Sequence, residues 1–148
     1  MSTPSEIIVG LPAITRLVER HPDAHMFFGY HESPDAFALA LARPGFMVYE
    51  LNGCWVITED KGLGVREVHW CCPDGANVKT LRHILGYIFE TTGALTLCGV
   101  TPESSPYARH ARVINRAVGA EPRDGVYVLP RDRFFAYNVR ENQPEDRT

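Results

Sequence analysis

Residues 65–81 run Val65-Arg66-Glu67-Val68-His69-Trp70-Cys71-Cys72-Pro73-Asp74-Gly75-Ala76-Asn77-Val78-Lys79-Thr80-Leu81. Residues 65–72 are predicted as a strand, which Pro73-Asp74-Gly75 ends. Val78, Leu81, Ile84, Leu85, Ile88 and Phe89 then recur at three- and four-residue steps, the pattern of an amphipathic helix. Gly93 is its expected C-terminal stop. Residues 94–100 (Ala-Leu-Thr-Leu-Cys-Gly-Val) read as a buried strand. This strand–loop–helix–strand unit predicts two neighbouring parallel strands joined by a helical crossover.

The flanks extend the pattern. Upstream, Asn52-Gly53 sits between residues 46–51 and 54–58 and predicts a hairpin, because that pair tolerates the positive φ angles of a type I′ turn. Residues 61–64 (Lys-Gly-Leu-Gly) are predicted as the next turn. A helix is predicted over residues 12–20, with an apolar stripe of Leu11, Ile14, Leu17 and Val18. Residues 26–30 read as a short strand. A second helix starts at Ser33, a capping residue, with Pro34 in the first turn and Asp35 at the positive dipole end. Phe37, Leu39 and Leu41 are its expected buried positions. Downstream, residues 106–118 are predicted helical, with Tyr107, Ala111, Ile114 and Val118 inside and Arg109, Arg112 and Arg116 outside. Residues 125–129 and 134–139 read as strands. The fold class is therefore α/β: a mixed sheet, antiparallel in its first half, with helices on both faces.

At 148 residues the chain is expected to form one domain over residues 1–140, with a polar tail over 141–148. Its composition, 45% hydrophobic and 22% charged, excludes a disordered chain or a disulfide scaffold. A net charge of -3 argues against a bulk electrostatic grip on nucleic acid. No stretch approaches 18 uninterrupted apolar residues, so no membrane span is expected. Residues 1–6 lack a basic, apolar leader, so a cytoplasmic location is expected. Cys54, Cys71, Cys72 and Cys98 match no zinc or redox spacing and read as small residues of a reduced core. Adjacent Cys71 and Cys72 should point to opposite faces of a strand. The histidines show no metal-ligand spacing, so no metal is expected.

The order of elements, and the residues within them, resembles the GNAT superfamily of acyl-CoA-dependent N-acetyltransferases. Residues 65–70 look like that family's central fourth strand, residues 78–89 its cofactor helix, residues 95–101 its fifth strand and residues 105–120 its next helix and turn. The chain is also similar to short, divergent GNAT-like proteins of tailed phages. The resemblance implies a splayed pair of central strands, acetyl-CoA as co-substrate and an amine acceptor. It implies cofactor contacts at Cys71 and Cys72, at Ala76, Asn77, Val78, Lys79 and Thr80, and at Ser105. The family's loop carries a leading basic residue and a central glycine. Here the matching window is Pro73-Asp74-Gly75-Ala76-Asn77-Val78, with Ala76 at the glycine and Gly75 one place early.

Acetyl transfer to an amine needs a base for the amine proton and an acid for the departing thiolate. Glu67 and His69 share strand parity, so they face one side of the sheet and can serve as the base. Tyr107, near the start of a helix, is the candidate acid, and Tyr87 is the other tyrosine considered. A helix N-terminus after residue 74 offers unpaired N–H groups to a pyrophosphate. Three functional classes follow. One is an acetyltransferase. The second is a GNAT-fold structural module, for example a virion component, with virion proteins or further copies of itself as partners. The third is a nucleic-acid module on the arginine face.

Overall fold

The computed structural model describes residues 6–24, 33–73, 75, 77–101 and 108–141. Strand β1 (Ile8–Val9) leads into α1 (Leu11–Arg20), and α2 (Pro34–Leu41) into β2 (Phe46–Leu51), β3 (Cys54–Gly62) and β4 (Val65–Cys71). Then come α3 (Val78–Thr92), β5 (Thr96–Gly99), α4 (Ala108–Val118), β6 (Glu121–Arg123), β7 (Val126–Pro130) and α5 (Arg131–Glu141). The strands form one seven-stranded sheet in the order β1-β2-β3-β4-β5-β7-β6. Every neighbouring pair is antiparallel except β4–β5, which is parallel.

Local chemistry sets the element ends. Asn52 and Gly53 take φ of 50° and 80°, the two positive angles the hairpin needs. Ser33 Oγ accepts the Ala36 N–H at 3.1 Å and caps α2. Gly93 ends α3 in the left-handed region. Strand β3 runs four residues further than expected, through Gly62, so the turn to β4 is only Leu63-Gly64.

Alternation along the strands builds two cores. On one face Ala13, Ile14 and Leu17 of α1 and Phe37 and Leu41 of α2 pack on Val48, Trp55, Ile57 and Cys71. On the other, Leu81, Ile84, Leu85, Ile88 and Phe89 of α3 pack on Tyr49, Val56, Val68, Leu97 and Leu129, joined by Ile114, Val118 and Phe134 from α4 and α5. Cys71 belongs to the first core and Cys72 packs against the second, as adjacent strand positions require. Among the described residues no helix is long and apolar enough to cross a membrane.

Three expectations need correction. Residues 134–139 lie within helix α5. Phe134 and Asn138, one turn apart, both point inward, and the Asn138 amide donates to Phe134 O at 2.7 Å. Leu11 and Leu39 are exposed, because the buried stripes run through Ala13, Ile14 and Leu17 of α1 and Phe37, Ala40 and Leu41 of α2 and leave both leucines on the outer faces. Strand β5 is four residues long rather than seven, with Leu95 and Val100 exposed at its ends. Strand β6 stands at the sheet edge, where Pro122 has no interior ladder to disrupt. The strand expected at residues 26–30 lies outside the described residues.

Candidate active site

The parallel pair at the centre of the sheet is bonded over a short stretch. Gly64 O accepts the N–H groups of Leu95 and Thr96, at 2.7 and 3.1 Å, and pins the start of β5 to the β3–β4 turn. The ladder then matches Val65 with Thr96, Arg66 with Leu97 and Glu67 with Cys98. Beyond Glu67, β4 continues to Cys71 bonded to β3, while Gly99 pairs with Tyr127 of β7. The strands still touch where they part: a Cβ on Gly99 would stand 3.2 Å from Val68 O. The expected parallel pair is therefore present; its ladder ends with β5, and the C-terminal end of β4 leads into the connection to α3.

That connection presents a helix start. Asn77 is the N-cap of α3, with its Oδ1 accepting the Thr80 N–H at 3.1 Å and its carbonyl accepting the Leu81 N–H at 2.9 Å. Thr80's N–H is thus taken by the cap and is not one of the unpaired donors of the helix start, a correction to its implied place among the cofactor contacts through that group. The N–H groups of Val78 and Lys79 remain as first-turn donors outside the helical ladder. The Val78 side chain packs against the core, and Lys79 is exposed. Gly75 adopts φ +107° with open space where a Cβ would be, so the backbone is approachable there. Ala76, Ser105 and Tyr107 lie outside the described residues.

Glu67 and His69 share the face that carries α1 and α2, since their partners Glu59 and Ile57 alternate with Trp55 of that core. Both are half-exposed, and His69 Nε2 lies 3.7 Å from Glu67 Oε1. Glu67 Oε2 is also 3.2 Å from Lys61 Nζ, which reaches Glu59 Oε1 at 2.8 Å. Burial holds the His69 imidazole below its ordinary value, and the Lys61 ammonium pushes the same way; Glu67 and Glu59 push back. Hydrogen bonds donated to the Glu59 and Glu67 carboxylates raise Lys61. Sequence reasoning missed Lys61 by placing it in a turn. Its alternation with Glu59 was the available signal, since the two project from one face of β3 once the strand is extended through Gly62.

The cysteines are poor nucleophiles. Burial pushes the Cys71 thiol up to about 11, and Cys72 is raised by its hydrogen bond with Cys54 and by burial. Tyr87 stacks edge-on against Tyr49, 6.0 Å between centroids, in the α3 core. It is on the opposite face from Glu67 and His69 and cannot partner them.

No protein-family model matches the chain, and no curated protein matches it in sequence. Solved structures match it in shape. The aminoglycoside acetyltransferase AAC(6')-Ib, solved with coenzyme A, aligns with a TM-score of 0.63 and 15% identity over 90% of this chain and 99% of that one. The same enzyme with paromomycin and acetyl-CoA aligns at 0.64 and 14% identity, covering 96% and 99%. A GNAT-family acetyltransferase from Bacillus anthracis aligns at 0.59 and 12% identity, covering 89% and 99%. The fold is that of the GNAT acetyltransferases. Within the GNAT fold of this chain, the end of the parallel β4–β5 pair and the start of α3 stand at one end of the sheet.

Proposed function

We propose that this chain is an acetyl-CoA-dependent N-acetyltransferase with an amine acceptor. The observation that carries the proposal is the short parallel β4–β5 pair, with β4 leading directly into a helix start. The first turn of α3 fits a pyrophosphate. Its Val78 and Lys79 N–H groups are outside the helical ladder, the dipole end is positive, and the Lys79 ammonium is exposed beside it. The β4 backbone at Cys71 and Cys72 would pair with an amide-bearing arm as a strand does. Ala76, Asn77 and Thr80 would shape the loop, with Ser105 assigned by resemblance alone. Acetyl-CoA, when bound, supplies an acetyl group activated as a thioester. Glu67 and His69 supply the base that takes the amine proton, and Tyr107 is proposed as the acid on resemblance. A cytoplasmic location accompanies this reading.

Thermal unfolding tests it. A ligand at 100 times its dissociation constant stabilises the native state by about 2.7 kcal/mol. Acetyl-CoA is expected to raise the melting temperature and an unrelated nucleotide is not. If millimolar acetyl-CoA leaves the melting temperature unmoved, the structural-module class, such as the virion component with its phage likeness, takes its place.

A further inference from the structure

Glu67 carries two separate contacts. Oε2 faces the Lys61 ammonium at 3.2 Å, and Oε1 faces His69 Nε2 at 3.7 Å. Lys61 is itself anchored by Glu59 at 2.8 Å. Four side chains from two adjacent strands thus form a chain of contacts ending at the imidazole. The register accounts for it: Glu59 stands opposite Glu67, and the shift between Asp60 and Gly62 falls at Lys61.

We propose that Lys61 is a positioning residue, which engages one oxygen of Glu67 so that the other orients His69, and that His69 is the group that takes the amine proton. This rests on the acetyltransferase reading above. A carboxylate whose oxygen is engaged by an ammonium is a weak proton acceptor, because taking a proton forfeits that attraction. The imidazole has no such obligation to Lys61. Charged groups that act on it include Glu59 and Lys61 from β3 and Glu67 from β4, and Cys98 of β5 stands opposite Glu67. Burial keeps Cys98 a neutral thiol. Burial, the leading cause, holds the imidazole below its ordinary value and so favours the neutral, proton-accepting form.

The signs follow from the charges. The Lys61 ammonium disfavours imidazolium, so Lys61→Met is expected to move the His69 titration up. Lys61→Arg keeps the charge and is expected to leave it near the wild-type midpoint. Glu67→Gln removes an anion that favours imidazolium and is expected to move it down. The measurement is a nitrogen-detected imidazole titration of the full chain by NMR, with circular dichroism melting of each variant as the folding control. An upward shift in Lys61→Met, restored by Lys61→Arg, supports the coupling. A midpoint unmoved by Lys61→Met, or moved equally by Lys61→Arg, overturns it. Calorimetric titration of the same samples with acetyl-CoA separates the two claims. Binding without coupling overturns the role of Lys61 alone, and no binding by the wild-type chain overturns the reading on which it rests.

Discussion

His69→Gln is expected to lower acetyl transfer to an amine by about 10²–10⁴-fold, the usual contribution of a positioned base, while leaving acetyl-CoA affinity nearly unchanged. The side chain is 37% exposed and half-sheltered on the sheet face, so a glutamine fits without emptying a core position. Steady-state kinetics separate the outcomes. A fall in turnover at constant cofactor affinity marks a base. An equal loss of cofactor affinity marks a residue that holds the cofactor or the fold, and the assignment is then wrong.

Trp55→Ala is expected to cost about 3–5 kcal/mol of folding stability. Trp55 is fully buried among residues of α1, α2, β2 and β3. Its indole N–H donates to Ala13 O at 3.0 Å, and its ring meets His21 edge-on with centroids 5.3 Å apart. The residue therefore fastens α1 to the middle of the sheet by packing and by a buried hydrogen bond. Its removal leaves a cavity that α1 must collapse into or leave open. Urea unfolding followed by circular dichroism gives the value. A loss under 1 kcal/mol would show that α1 is held by other contacts, the Arg16–Glu50 ion pair at 2.7 Å first among them.

Much of this fold is local chemistry and can be read from single residues. Asn52-Gly53 writes a turn into the chain, Ser33-Pro34 writes a helix start, and the period of Val78 to Phe89 has one solution. The errors have a common physical origin in tertiary contact. Residues 134–139 carry two phenylalanines, a tyrosine and a valine, which suit a strand by propensity; the α3 surface instead selects a helix. Leu11 and Leu39 have apolar side chains at helix steps, but the buried stripes run through Ala13, Ile14 and Leu17 and through Phe37, Ala40 and Leu41.

The candidate site was legible in part. Shared parity placed Glu67 and His69 on one face. The Lys61 ammonium depends on how far β3 continues, and that is fixed by pairing with β4 rather than by residues 61–64 themselves. The occupied Thr80 N–H likewise depends on which residue caps α3. Asn77 holds that place, in extended backbone with φ -115° and ψ 114°. Those angles also suit a residue that precedes proline.

That last property supplies a direct probe of the cofactor site. Val78 occupies the first helical position, where proline is tolerated because its missing N–H bonds nothing in the helix. Val78→Pro therefore keeps α3 and deletes one donor assigned to the pyrophosphate. The deciding measurement is isothermal titration of acetyl-CoA into the wild-type chain and into Val78→Pro. The wild-type chain is expected to bind one acetyl-CoA per chain. Val78→Pro is expected to bind it more weakly by roughly 10–100-fold, the worth of a hydrogen bond to a charged group. No heat from the wild-type chain at millimolar acetyl-CoA, or equal affinity in the two proteins, would contradict the placement of the cofactor at the start of α3.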